Sequence, residues 1–152
     1  MGQSAARIGD TVAHLTPPVL TGGPGSLNVM IGGQPAWRGI PLSAVASLPP
    51  PTEEPPPEPE EGEEGPTEEE QSAQQEEAAA ELASMSGGAD IHACVQPSPV
   101  PFCVDGPGVV ITGSATVMIN GLPACRQGDM ILEVLGPPNS ITSGCPNVQI
   151  GG

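Results

Sequence analysis

The 152-residue sequence has almost no aromatic side chains: one Phe, one Trp and no Tyr. Small domains commonly draw their core bulk from aromatics, so a core here must be built from Val, Ile, Leu and Met. Basic residues are nearly as scarce. Three Lys-plus-Arg face 18 Asp-plus-Glu, for a net charge of −15. Nucleic-acid binding needs a basic face, and attraction to anionic lipid needs the same, so neither partner is expected. No apolar run reaches the roughly 18 residues of a membrane-spanning helix. No apolar segment follows Met1 in the manner of a secretory signal, so synthesis in the cytoplasm without such a signal is expected. Phosphate-binding glycine loops of the usual spacings are absent. Gly/Pro-rich hairpins offer no helix N-terminus to activate a thiol, so no enzyme is expected.

What is present is a repeated sentence. Val110 to Asp129 reads V-I-T-G-S-A-T-V-M-I-N-G-L-P-A-C-R-Q-G-D. Apolar residues alternate around Val117 and Ile119, the period of a half-buried strand. Asn120-Gly121 is a hairpin signal, because both central residues of a type I′ turn need positive φ. Val19 to Gly39 repeats the sentence, and Ile141 to Gly152 repeats it again but stops before the last strand. Ala5-Ala6-Arg7-Ile8-Gly9-Asp10 matches Ala124-Cys125-Arg126-Gln127-Gly128-Asp129, so the N-terminus supplies that strand. Three copies in one small chain are the organising feature. The 21 Gly and 21 Pro, a level that elsewhere signals disorder, recur at matching turn positions.

The acidic charge is concentrated. Thirteen of the 18 acidic residues are Glu between Glu53 and Glu81. Residues 40–88 therefore read as a disordered, Pro/Glu-rich insert, extended by its prolines and by like-charge repulsion. The Glu/Gln/Ala composition near 73–85 suits a short helix, which Ser86-Gly87-Gly88 would stop. The insert reads either as a passive solubilising linker or as an arm that docks on a partner.

The inter-repeat loops carry the chemistry. Each begins with Asp (Asp10, Asp90, Asp129), and four residues later stands His14, Cys94 or Glu133. His92 and Cys103 lie in the middle loop. A domain short of aromatic bulk needs another tie, and a structural metal is one. Zinc takes four N/S ligands in a closed tetrahedral site, and in a threefold arrangement these loops would meet on one axis. The bland readings are a capping histidine at His14 or His92 and a small buried hydrophobe at each cysteine. For Cys125, inside a strand, the buried hydrophobe is preferred. In the absence of a secretory signal, four cysteines are more readily reduced or metal-bound than disulfide-paired.

The motifs A-A-R-I-G-D, G-S-L-N-V-M-I-G-G-Q-P-A, D-I-H-A-C, G-S-A-T-V-M-I-N-G-L-P-A-C-R-Q-G-D and P-N-V-Q-I-G-G together resemble the PAAR family, which tips the spike of contractile injection systems such as type VI secretion. The resemblance covers residues 5–39 and 89–152, within a β-cone domain expected at 1–39 and 89–152. It implies an all-β, pointed cone of short β-hairpins with pseudo-threefold symmetry. It implies one structural zinc near the apex rather than iron, held in family members by three His and one Cys. Carried over, His14 and His92 fit ligand positions, and Cys103 stands where a third His is expected. Glu133 occupies a loop position that is Cys in many relatives. Cys145 is the preferred fourth ligand, with Glu133 and Cys94 as rivals. The implied partner is a trimeric VgrG-like spike bearing one copy of the tip, with effector or toxin cargo, export on firing and only transient contact with the target membrane. The alternative is an effector adaptor whose acidic arm binds cargo.

Overall fold

The computed structural model describes residues 2–13, 20, 25–46, 48, 77, 80–82, 84, 87–92, 108–133 and 138–151. Ten short strands and one four-residue helix have defined bounds. The all-β expectation holds, and the three repeats reappear as three interlocked units.

Each unit starts with a hairpin. In the first, β2 (Met30–Ile31) pairs with β3 (Gln34–Pro35). In the second, β6 (Met118–Ile119) pairs with β7 (Leu122–Pro123). Asn120 (φ 54°) and Gly121 (φ 80°) are both left-handed, as the type I′ turn requires. The third pairs β1 (Gln3–Ala5) with β10 (Cys145–Ile150), setting Gln3 against Ile150 and Ser4 against Gln149. Those pairs correspond to Ile31–Gln34 and Met30–Pro35 in the first hairpin. The two ends of the described chain thus stand where the other hairpins have their turns.

After each hairpin comes an Ala-x-Arg tripeptide, and the three tripeptides close a ring. Ala6 N–H donates to the Cys125 carbonyl (2.9 Å), Cys125 N–H to that of Trp37 (3.1 Å), and Trp37 N–H to that of Ala6 (3.1 Å). Ala6, Trp37 and Cys125 are all buried in one cluster with Val12, Leu20, Val110, Ile131 and Ile141. One large and two small side chains share the centre. Three small ones would leave a void there, and three large ones would clash. A second cluster lies among the hairpins: Ala5, Ile31, Ala36, Ile119, Ala124, Cys145 and Ile150.

Beyond the ring lies a four-stranded antiparallel sheet of order β4 (Ile91–His92), β5 (Gly108–Val110), β8 (Met130–Glu133) and β9 (Asn139–Ser140). Val110 and Ile131 belong to the central cluster. Val109 and Ile91 face a third cluster made with Ile40, Leu82 and Ala89. That third cluster bears on the insert. Helix α1 (Leu42–Val45) contributes Ala44 and Val45, and Leu82, one of the helical residues 80–82, is fully buried. From residues 40–88, Ile40, Ala44, Val45, Leu48 and Leu82 therefore pack with Val109 and Ile91 of the sheet. Their seat is apolar, although the insert's sequence is dominated by Glu and Pro. The acidic stretch from Glu53 to Glu70 lies outside the described residues.

Candidate functional site

The ring is locked by three equivalent ion pairs. Arg7, Arg38 and Arg126 each donate two side-chain hydrogen bonds to the carboxylate of Asp10, Asp90 and Asp129, respectively. The backbone N–H of each arginine also donates to its aspartate, at 2.7, 2.9 and 2.7 Å. Each aspartate N–H returns a bond to the arginine carbonyl at 3.1 Å. Two-pronged guanidinium–carboxylate contacts are both strong and directional. In two copies the partners are three residues apart; in the first copy Arg38 and Asp90 are 52 apart. The insert thus enters and leaves inside one Arg-x-x-Asp turn without opening its clamp. The hydrogen bonds to Asp10 and Asp90 hold the Arg7 and Arg38 guanidinium groups above their ordinary pKa.

From each clamping aspartate the chain runs outward to a loop. Asp90 leads into β4, and Asp129 leads into β8. Asp10 leads into residues 11–13, where Val12 bridges Ile141 and Ala13 N–H donates to the Ser140 carbonyl at 2.8 Å. His92 is paired with Gly108, and Gly108 with Glu133. Directly paired residues on antiparallel strands share a face, so the imidazole and the carboxylate lie on the same side of the sheet with a glycine between them. Both are buried, at 0% and 1% exposure. Glu133 leans over that glycine: a Cβ on Gly108 would stand 2.6 Å from Glu133 Oε2. Asn139 Nδ2 donates to the other carboxylate oxygen at 3.4 Å.

Of the residues singled out from sequence, His92 and Glu133 are thus brought into one row. His14, Cys94 and Cys103 lie outside the described residues. Cys145 sits elsewhere, in the hairpin cluster. Its role there follows from its equivalents, Ser26 and Ser114. Ser26 Oγ accepts from Val29 N–H and donates to Asn120 Oδ1 (2.6 Å), and Ser114 Oγ accepts from Val117 N–H and donates to the Gly151 carbonyl (2.6 Å). Each serine closes its own turn and reaches the turn of the next hairpin. Cys145 Sγ occupies the third such place, 3.1 Å from where a Cβ on Gly32 would stand. The serine alignment at positions 26, 114 and 145 was visible in the repeat and could have signalled this structural role. Cys125 is a buried thiol on the ring. Burial pushes its pKa well above the ordinary value, Asp129 and Asp90 push the same way, and Arg126 and Arg38 oppose them. Among the described residues, no group of three or more His, Cys, Asp and Glu side chains stands together. An imidazole nitrogen and a carboxylate oxygen are both suitable zinc donors, so the pair at this row fits such an ion in kind.

Three Ala-x-Arg turns clamped by Asp, stacked on three hairpins, define a class of small all-β proteins built on internal threefold repetition. Residues 103–152, about a third of the chain, match the family model described as the PAAR motif. The same hydrogen-bonding grammar continues outside the matched segment, at Ala5–Asp10 and at Ala36–Arg38 with Asp90. The motif supports a spike-tip role in contractile injection systems of the type VI kind, with association to a VgrG-like spike, in a family that is structural in character. The comparison with curated proteins gave no match.

Proposed function

We propose that this chain is the rigid point of an injection spike, stiffened by one zinc ion and seated on a trimeric VgrG-like protein. The observation that carries this reading is the closed three-way ring with its three Arg–Asp clamps. A monomer with internal threefold repetition matches a threefold partner, so one copy sits on each spike. Hairpin and small apolar groups form the seat, with Leu27, Met30, Met118 and Val148 exposed on the hairpin units. Docking there augments the open strand edges of the spike. The metal set taken from sequence is His14, His92, Cys103 and Cys145. Zinc supplies a fixed four-way tie between loops that lack aromatic packing, and its binding free energy adds to folding. The residues themselves bring the loops together and exclude water from the apolar face below. The protein works mechanically: it travels with the spike, contacts the target membrane in passing and leaves the producing cell when the machine fires.

Co-purification of the full chain with a trimeric VgrG-like protein tests the seat; lack of association would refute it. Elemental analysis and melting with and without a chelator test the metal. Absence of zinc together with an unchanged melting temperature would refute that part.

A second reading assigns the acidic insert to an effector adaptor. The observation in its favour is the placement of the insert inside the Arg38–Asp90 clamp, which leaves the ring intact. Deletion of residues 49–76 leaves the packed residues Val45, Leu48 and Leu82 in place. Retained spike binding with lost effector delivery would establish the arm as an adaptor on a tip.

A further inference from the structure

We infer that Met30 and Met118 form an oxidation-sensitive pair on the hairpin surface: peroxide converts their thioethers to sulfoxides and blocks seating on the spike without unfolding the cone. The inference rests on the seating proposed above and adds a modification site to it.

The placement of methionine comes first. Its flexible thioether ordinarily fills gaps inside cores. Among the described residues, however, no buried apolar side chain is a methionine. The three described methionines all stand at the surface, with exposures of 56% for Met30, 53% for Met118 and 42% for Met130. Met30 and Met118 occupy one and the same place in the first two hairpins. Each precedes a buried isoleucine, Ile31 or Ile119, and each is paired with the proline of the returning strand, Pro35 or Pro123. Gln149, also exposed, holds that place in the third hairpin, opposite Ser4.

Charge marks the same surface. The chain carries a net charge of −15, yet residues 25–36, 113–124, 144–151 and 2–5, which build the three hairpins, contain no Asp, Glu, Lys or Arg. Depletion of charge characterises the core of a protein interface. Leu27, at 87% exposure, adds a further apolar side chain to the first hairpin unit. A threefold partner thus meets two thioethers and one amide at the three equivalent places.

The chemistry is oxygen transfer. A sulfur lone pair attacks one oxygen of hydrogen peroxide, the O–O bond breaks, and water leaves. The sulfur loses two electrons and the peroxide gains them. The sulfoxide is polar, so all three equivalent places become polar and the seat loses its two thioether contacts. The core is not involved, because Ile31 and Ile119 make the inward packing. Sulfoxide reductases reverse the step: a dithiol becomes a disulfide and the oxygen leaves as water.

The test treats the full chain with hydrogen peroxide, removes the oxidant, and measures binding to an untreated trimeric VgrG-like protein. Wild type, M30L/M118L and M130L are compared, with peptide mass spectrometry to locate the added oxygen and thermal melting to follow the fold. In wild type and M130L, oxygen is expected at Met30 and Met118, with an unchanged melting temperature. Their affinity should fall by about tenfold or more, the scale of one buried apolar side chain. M30L/M118L should bind equally well before and after treatment. Undiminished binding by oxidised wild type, an equal loss in M30L/M118L, or a lowered melting temperature would overturn the inference and leave the seat intact. If the leucine pair itself impairs binding, sulfoxide reductase with a dithiol decides: restored binding by oxidised wild type supports the inference, and failure to restore it overturns it. No binding by untreated wild type would overturn the seat and the inference together.

Discussion

At the scale of single residues, the Arg–Asp clamps carry the largest individual interactions. Each aspartate receives hydrogen bonds from its arginine through both backbone and side chain, and Asp90 and Asp129 are almost wholly enclosed. Removing one member of a buried ion pair leaves the other uncompensated, typically at ~3–5 kcal/mol. D129N should therefore lower unfolding free energy by about 3 kcal/mol, read by denaturant titration of Trp37 fluorescence. D10N should cost less, because Arg7 is more exposed than Arg126 and solvent screens its pair. Cys125 gives a pH prediction. Its folded pKa is raised above the ordinary 9.0 by burial, so the thiol stabilises the fold below that value and the contribution is lost as pH climbs past it. Each further pH unit should cost about 1.4 kcal/mol. C125A should remove that dependence between pH 9 and 10.5 while lowering stability at pH 7.

At the scale of elements, the packing of hairpin against ring depends on three equivalent glycines. A Cβ on Gly25 would approach Pro35 Cβ to 2.8 Å, one on Gly113 would approach Pro123 Cβ to 2.8 Å, and one on Gly144 would approach the Ser4 carbonyl to 2.7 Å. In each case the following hairpin strand lies against the glycine. G113A should destabilise by ~1–3 kcal/mol through overpacking, whereas an alanine at exposed Ala115 is already tolerated. The comparison of G113A with A115G by thermal melting separates steric cost from glycine flexibility. The hairpins themselves were legible in the sequence, because alternation and an Asn-Gly turn are local signals. The pairing of Ser26 with Asn120 was not, since its partners are 94 residues apart and no local pattern encodes the contact.

At the scale of the whole molecule, the insert is the distinguishing feature. It occupies an Arg-x-x-Asp turn, yet its Leu82 reaches back to the sheet with Ile40 and Ala89. L82A should cost ~2–4 kcal/mol, as for other fully buried leucines, measured by denaturant titration; a cost near zero would mean that the insert contributes nothing to the fold. The sequence showed 40–88 as one acidic, low-hydrophobicity segment. Averaged composition concealed a few apolar positions at its two ends, and these are the ones that pack.

The sequence alone determined the threefold repeat, the all-β character and the split of the third unit between Ala5–Asp10 and Ile141–Gly152, because strand alternation, turn glycines and Ala-x-Arg spacing are recorded residue by residue. Tertiary structure decided how the units close on one another. The ring of backbone bonds through Ala6, Trp37 and Cys125 joins residues distant in the chain, and so does the clamp between Arg38 and Asp90. Tertiary structure also set the surroundings of Cys145 and of His92. Sequence offers both as donor-type residues, but strand register sends one into the hairpin cluster and sets the other in a row with Gly108 and Glu133. Ligand chemistry is written in residue types, while the layer that each side chain enters depends on pairings that only the folded chain makes.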